Sequence, residues 1–365
     1  MEDDALEGPR PARKDERDAL LETVNYIFRI SKDRPPSIAT DYPHVYEPDN
    51  LSNISIIKSD EKIISSVAVW PCDILVGDAR LRVGGINAVG TLPEFRKRGL
   101  GSRVMEAAHQ RLRDLNCHVG LLSTGIHDWY RGLGWESAGA QRTYRLDRSN
   151  IGLLPSLATG IEIHATTQDV HEEILALHHA ARLGARRTAH HFGQVLSTKK
   201  VSGGVVARKD TRVVAYLLSS GHDIVEWGGP AEIVAGLVQA WFQRLDDPNA
   251  STSDRESDLL TGIALHAFGA PCPLLSLLDT LRIPYALNHL GMMRIVDPQG
   301  ILQAFGCTDI TLSQHGETFD LKSGDQSDTR TRSELAKLYF GPERISHFAD
   351  HILPFPFWQW GLERV

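Results

Sequence analysis

Apolar and polar residues alternate along residues 54–89, in short segments separated by turn residues such as Gly77-Asp78. Alternation with a period of two places successive side chains on opposite faces of a sheet. The pattern therefore predicts an antiparallel meander of strands. Its segments are Ile54–Lys58, Ile63–Trp70, Ile74–Val76 and Leu81–Val89.

Apolar residues with helical spacing stand on both sides of this meander. Leu20–Phe28 predicts a first helix, which stops before Pro35-Pro36, and residues 1–14 are charged and read as frayed. The helix that begins after Gly101 precedes a short buried strand at Val119–Ser123. The proline-rich segment Ser31–Asn53 is either a loop that shapes a binding site or a mere connection.

The stretch between the meander and the second helix combines glycines with basic residues. Arg96, Lys97 and Arg98 are followed by Gly99 and Gly101. Glycines let the backbone approach an anion, and the free N–H groups of a first helical turn point at it. The loop therefore indicates a phosphate site, although a flexible turn with a solvated basic face is the alternative. A Walker loop or a dinucleotide fingerprint would need residues that are absent here.

Glycine, proline and serine gather near residues 150–159 and mark the start of a second unit. Its elements follow the order of the first unit, with a polar loop at Asp246–Asp258. However, Gly228-Gly229-Pro230 leads into its main helix without basic residues, so a phosphate loop here would be degenerate. The predicted elements are strand Ile161–Ala165, helix Val170–Leu183, strands Gly204–Ala207 and Val213–Ser219, helix Pro230–Leu245 and strand Ile263–Ala267.

The rest of the chain, from about Pro284, predicts a small mixed region. Met292–Val296 is strand-like, and Pro298–Ala304 and Arg332–Phe340 have helical patterns. The tail from Leu353 to Val365 is rich in aromatic residues, so we expect it to be docked on the protein.

Composition limits the possible partners. The net charge of -7 and the isoelectric point near 6.1 argue against nucleic-acid binding, and no apolar run reaches membrane-spanning length. The amino terminus is acidic, without the apolar core of a signal peptide, and the four cysteines are widely spaced. We therefore expect a reduced, cytoplasmic protein. The doublets His178-His179 and His190-His191 lack metal-ligand spacing, which predicts no metal site.

Two motifs resemble those of a known superfamily. Arg96-x-x-Gly99-x-Gly101, between a strand and an amphipathic helix, resembles motif A of the GNAT acyl-CoA-dependent N-acyltransferases. Residues 128–135 contain an aromatic-Tyr pair at Trp129-Tyr130 followed by Gly134-Trp135, which resembles the second GNAT signature. One helix and one strand separate the motifs, as the family requires.

The whole chain resembles the enhanced intracellular survival (Eis) branch, with an α+β fold of mixed sheets and flanking helices. The resemblance implies an active GNAT domain at residues 1–150, a degenerate GNAT-like domain at 151–284, and a short sterol-carrier-like domain with the docked tail at 285–365. Residues 293–297 and 333–341 carry the resemblance to the third domain. The tail does not end in an aromatic residue, unlike the best-known aminoglycoside-modifying members.

The resemblance also assigns roles in catalysis. Tyr130 matches the tyrosine that protonates the departing thiolate, and a core tyrosine is the alternative. Residues Leu81–Thr91 offer no carboxylate as base. The resemblance to the Eis branch implies another candidate, the terminal carboxylate of Val365, and His127 near Tyr130 is the second candidate. A tail that only packs is the alternative for Val365.

For acetyl-CoA, the family motif implies backbone and side-chain contacts from the strand end and the loop. The strand end contributes Val89, Gly90 and Thr91, which would pair with the pantetheine amides. The residues of the loop and first helical turn are Arg96, Lys97, Arg98, Gly99, Leu100, Gly101 and Ser102.

The sequence thus predicts an N-acetyltransferase with acetyl-CoA as co-substrate. It would act on a primary amine of a small or peptidic acceptor by direct transfer in a ternary complex, and a homo-oligomer is possible. The alternatives are a non-catalytic protein that senses acyl-CoA or binds an apolar ligand, and an acyltransferase with a longer acyl chain.

Overall fold

The computed structural model describes residues 6–246 and 262–365, which form two compact units. Unit 1 comprises Met1–Ala138, Gly291–Phe355 and Arg364–Val365, and unit 2 comprises Gly139–Leu290 and Pro356–Glu363. Both contain a sheet with flanking helices, which confirms the predicted α+β class. Apart from Asp246, the predicted loop at 246–258 lies outside the described residues.

The described residues form sixteen strands and ten α-helices. The strands are β1 (Leu6–Pro11), β2 (Ile54–Ser59), β3 (Lys62–Val76), β4 (Ala79–Thr91), β5 (Val119–Leu122), β6 (Glu136–Leu146), β7 (Ile161–Ala165), β8 (Leu183–Ala185), β9 (Gly203–Lys209), β10 (Arg212–Ser220), β11 (Asp223–Gly228), β12 (Ile263–Phe268), β13 (Tyr285–Ile295), β14 (Thr311–His315), β15 (Thr318–Ser323) and β16 (Gln326–Thr331). The helices are α1 (Arg17–Phe28), α2 (Ile38–Asp41), α3 (Leu100–Asp114), α4 (His127–Arg131), α5 (His171–Ala180), α6 (Ala189–Leu196), α7 (Ala231–Asp246), α8 (Pro273–Thr280), α9 (Pro298–Ala304) and α10 (Arg332–Phe340).

The main sheet of unit 1 has the order β1-β2-β3-β4-β5, and the end of β13 follows β5. Neighbouring strands are antiparallel except for β4 and β5, which run parallel because α3 connects them. Met292 of β13 lies opposite Leu122 of β5. The structure thus confirms the predicted antiparallel meander and adds the distant strand β13 to the sheet.

Two local predictions about unit 1 were wrong. Residues 6–11 are not frayed but form β1, which pairs with β2 along an edge of the sheet. The predicted break between Trp70 and Ile74 does not exist, because β3 continues through Pro71 and pairs with β4 as far as Val76. Backbone pairing across a long hairpin outweighs the weak strand preference of these few residues.

Helix α3 packs its apolar side against the unit 1 sheet. Val104, Met105, Ala108 and Leu112 are buried in a core that includes strand residues of β2 to β5. A Cβ atom on Gly84 of β4 would collide with the Leu112 side chain. Because residue 84 is a glycine, α3 can lie close to β4. The helix is thereby held beside the end of β4.

The sheet of unit 2 has the order β6-β12-β11-β10-β9-β7. Helices α5 and α6 pack on it through a core that includes Ile174, Phe192 and Leu218. Helix α7 follows β11 as α3 follows β4, and β11 pairs with β12 in parallel. Helices α6 and α8 were not expected, whereas the other predicted elements of this unit are present with shifted ends.

The segment after β13 adds a small layer to unit 1. Helix α9 precedes a three-stranded antiparallel sheet, β14-β15-β16, and α10 follows it. Thr331 caps α10 by accepting from the N–H of Glu334, whose carboxylate accepts in return from the N–H of Thr331. Helix α10 was predicted with these bounds.

Candidate functional site

The strand that precedes the glycine-rich loop is distorted near its end. Two residues of β4, Ala88 and Val89, lie opposite the single residue Val67 of β3, and Ala88 has a φ of 49°. Such a bulge bends its strand. The parallel pairing of β4 with β5 extends from Val83 to Gly85, and none of the described pairs joins them beyond it. The end of β4 therefore diverges from β5 and leaves an opening between them.

The loop after β4 turns its backbone toward the helix. Lys97 has a φ of 63° and Gly99 a φ of 73°, so two residues of the loop adopt the left-handed conformation. Gly99 also caps α3, and its carbonyl accepts from the N–H of Arg103. The N–H groups of Leu100, Gly101 and Ser102 then have no partner inside the helix. Together these groups can hold an anion.

The basic side chains of the loop are exposed. The guanidinium of Arg96 donates to the carbonyl of Thr91 at 3.1 Å, and that of Arg98 lies 5.3 Å from the ring centre of Phe95. These contacts hold two cationic groups beside the strand end without neutralising either. Positive charge thus surrounds the start of α3, where the helix dipole adds to it.

A cleft of about 360 Å³ opens at this place. Its lining includes every residue predicted to contact acetyl-CoA except Arg98, and it includes Tyr130. Phe95, Ile126 and Trp129 complete it with apolar surface. The predicted residues in the lining are Val89, Gly90, Thr91, Arg96, Lys97, Gly99, Leu100, Gly101 and Ser102. Residues predicted from two separate motifs therefore meet in one cavity.

Tyr130 lies on α4 and is buried, with Trp129 at 4.7 Å and Trp135 at 6.3 Å between ring centres. Burial raises the pKa of Tyr130 to about 12, because the phenolate would lose its hydration. The hydroxyl group therefore stays protonated at neutral pH and can act as a proton donor. His127 begins the same helix but is exposed and does not line the cleft.

Val365 packs against β4, on the face of the unit 1 sheet that is opposite to α3. A Cβ atom on Gly85 would collide with the Val365 side chain, whereas one on the preceding Gly84 would meet Leu112 of α3. Successive residues of a strand point to opposite faces. Val365 therefore lies on the face of β4 away from α3, in a cluster that includes Trp70 and Ala88.

Polar groups that the motifs did not indicate lie on this second face. The hydroxyl group of Tyr46 donates to Asn87 Oδ1 at 2.9 Å, and both side chains are buried. His44 packs its ring against Trp70, with ring centres 4.6 Å apart. Tyr46 and His44 come from the proline-rich segment that follows α1. The sequence indicated this surface only through the proline-rich composition of that segment.

In the part of the chain that the structure describes, no helix is long and apolar enough to cross a membrane. No group of three potential metal ligands is found among those residues either. His178 is buried in unit 2, and His190 and His191 lie on α6.

Comparisons with known proteins identify a family for part of the chain. Residues 8–138 match the model of the acetyltransferase (GNAT) domain. No curated protein matches the chain in sequence. Residues 8–138 therefore carry an acetyltransferase (GNAT) domain, which supports the predicted enzyme class of a GNAT-type N-acyltransferase. Domains of this family generally use acetyl-CoA as co-substrate and act on amines.

Solved structures resemble the chain over most of its length. A probable N-acyltransferase from Enterococcus faecalis V583 is 16% identical, with a TM-score of 0.64 over 92% of this chain and 89% of that one. A GCN5-related N-acetyltransferase from Anabaena variabilis is 14% identical, with a TM-score of 0.64 over 92% and 89%. Eis1 from Mycobacterium abscessus is 16% identical, with a TM-score of 0.60 over 93% and 90%. At these identities the likeness shows the fold.

Proposed function

We propose that the chain transfers the acetyl group of acetyl-CoA directly to a primary amine while both substrates are bound. One observation carries the proposal: the basic loop, the open end of β4 and Tyr130 line a single cleft in the GNAT domain. The loop and the first turn of α3 would bind the pyrophosphate of acetyl-CoA. Val89 and Thr91 would pair with the pantetheine amides by extending the strand pattern, because β5 has already diverged there.

Tyr130 would supply the proton that the departing thiolate needs. A pKa of about 12 keeps its hydroxyl group protonated, so the phenol can donate to the sulfur while the bond between carbon and sulfur breaks. Turnover should therefore depend on the hydroxyl group and not on the ring.

The carboxylate of Val365 would accept a proton from the ammonium group of the acceptor, which leaves the neutral amine to attack the thioester carbonyl. Its position on the second face of β4 is supported by the contact with Gly85, and it lies apart from the loop that would hold the cofactor. The acceptor and acetyl-CoA would thus approach the reacting carbon from opposite faces of the sheet. This arrangement suits a ternary complex, because neither substrate needs to leave before the other binds. His127 remains the second candidate for the base.

We infer an active GNAT domain at residues 1–150, a degenerate one at 151–284 and a sterol-carrier-like domain at 285–365 of the Eis-like kind. The acceptor is a small molecule or a peptide, the protein works in the cytoplasm, and it can form a homo-oligomer.

Calorimetric titration of the full chain with acetyl-CoA, followed by an amine screen that measures thiol release, tests this function. We expect one acetyl-CoA site per chain and amine-dependent release of CoA. Binding without turnover on any amine would favour an acyl-CoA sensor instead. Faster turnover with octanoyl-CoA than with acetyl-CoA would identify a longer-chain acyltransferase. Absence of binding would contradict the proposal.

A further inference from the structure

Unit 2 contains its own cleft, of about 430 Å³. It lies where β11 diverges from β12, since Ile224 and Leu265 are the one described pair between these strands. The loop after β11 and the first residues of α7 and α8 line it. Its place among the strands and helices of unit 2 therefore corresponds to that of the proposed acetyl-CoA cleft in unit 1. The residues that line the two clefts differ in their chemistry.

Four aromatic side chains contribute to its wall. Tyr216, Trp227, Phe268 and Trp360 line the cleft, and each is less than a tenth exposed. Trp227 and Trp360 meet edge to face at 5.6 Å, and the indole N–H of Trp227 donates to the carbonyl of His266. Gly184 has a φ of 101°, and a Cβ atom there would collide with Trp360. The rings are thus held in fixed positions, as in a preformed ligand pocket.

The buried charged groups next to these aromatic residues have no net positive charge. Buried Arg187 donates two hydrogen bonds to Glu226 at 2.6 and 2.7 Å and a third to Glu363. His178 faces the same Glu226 with Nδ1, and its Nε2 faces the carbonyl of Ala185. The sum of these charges is zero with a protonated imidazole and negative with a neutral one.

The charge at the entrance is negative. Glu232 lines the cleft from the first turn of α7 and is exposed, whereas no Lys or Arg lines it among the described residues. The amino terminus of a helix contributes only about half a positive charge, which the full charge of one carboxylate outweighs. The site should therefore repel the pyrophosphate of CoA and attract a cation, for which aromatic faces add further affinity.

We propose that the cleft of unit 2 binds a small apolar molecule that carries an ammonium group. Its apolar part would lie among Trp227, Phe268 and Trp360, and its charge would face Glu232. This site is distinct from the transfer site, and the inference does not rest on the reaction proposed for unit 1.

Three naphthalene probes of similar size test the charge preference by calorimetry on the full chain without acetyl-CoA. They are 1-naphthylmethylamine, 1-naphthalenemethanol and 1-naphthoate. We expect the amine to bind about three- to tenfold more tightly than the alcohol, and the carboxylate most weakly, since a partly exposed charge and ring contacts contribute this much. Equal affinities, or no binding of any probe, would overturn the proposal.

Variants locate the binding. Glu232→Gln should remove the advantage of the amine, and Asp210→Asn, at an exposed turn between β9 and β10, is the matched control that keeps it. Ala181→Trp, at an exposed position of the lining, should lower the affinity for all probes at least about tenfold. Amine binding that persists in Ala181→Trp at the wild-type stoichiometry would place the site elsewhere and contradict the proposal.

The thiol of Cys272 gives an independent readout, because it is half-buried and lines the cleft. The bound amine should slow its alkylation by N-ethylmaleimide at least about fivefold. Cys307, which is half-buried in unit 1, serves as the control in the same mass spectrum. Equal protection of both thiols, or of neither, would count against binding in this cleft.

Discussion

The clefts of the two units follow one plan and differ in chemistry. In each, a strand leads through a glycine-containing loop into a long helix, and a parallel strand diverges beside it. In unit 1 the loop carries Arg96, Lys97 and Arg98, whereas in unit 2 it reads Gly228-Gly229-Pro230 and is followed by Glu232. The opening is thus a property of the fold, and a few residues of the loop decide the charge that the cleft presents.

The largest effect in this comparison is expected for Tyr130→Phe. The variant tests whether the cleft of unit 1 alone carries the reaction, because the cleft of unit 2 should contribute no turnover. We expect kcat to fall about a hundred- to a thousandfold with little change in KM, as for loss of a general acid. Steady-state thiol release measures it, with Tyr26→Phe on the exposed side of α1 as control. In the wild type, the pKa of about 12 predicts no loss of kcat from phenol ionisation up to about pH 11. Substantial residual turnover would mean that another group acts.

The next largest effect concerns the base. Two residues added after Val365 should lower kcat about ten- to a hundredfold, because they replace the carboxylate with a neutral peptide group. Val365→Ala keeps the carboxylate and trims only the side chain beside Gly85, so it should retain most of the activity. If both variants turn over like the wild type, the carboxylate is not the base, and His127→Ala becomes the variant to examine.

Gly99→Val addresses the loop geometry that only unit 1 shares with phosphate sites. A φ of 73° is strained for a β-branched residue, so the loop should shift and acetyl-CoA affinity should fall about tenfold or more. Gly77→Val is a matched control, since Gly77 has a φ of 61° in the β3–β4 turn and does not line the cleft. Calorimetry and a melting curve separate the two effects. A similar loss of affinity in both variants would point to general destabilisation.

The smallest expected effect is that of a single loop charge. Lys97→Gln should weaken acetyl-CoA binding about three- to fivefold, and the loss should shrink as salt rises from about 0.05 to 0.5 M. Lys14→Gln, an exposed lysine outside the cleft, should change neither quantity. A loss that does not depend on salt would show that Lys97 acts through the backbone of the loop instead.

Short-range patterns predicted many of the residues that line the cleft of unit 1. Glycine and arginine at fixed spacing, a strand before them and a helix after them are features of one continuous stretch, so the loop and α3 could be read directly. The bulge at Ala88 could not, because it depends on how β3 pairs with β4 and not on a glycine at that position. The divergence of β4 from β5 follows from the same long-range geometry.

Contacts between residues that are far apart in the sequence could not be predicted from it. Arg187, Glu226 and Glu363 form one buried cluster, although more than a hundred residues separate the first from the last. The hydrogen bond of Tyr46 with Asn87 joins a proline-rich segment to a strand in the same way. Neither group of contacts has a local signal, because each residue alone is an ordinary polar residue in its element.

The pairing of β5 with the end of β13 also has a consequence for biosynthesis. Leu122 and its partner Met292 are 170 residues apart in the chain. At about 5 to 20 residues per second, a ribosome needs roughly 10 to 35 s to make the intervening segment. During that time the nascent GNAT domain presents an unpaired strand edge next to its forming cleft, which is a natural substrate for chaperones that shield extended apolar segments.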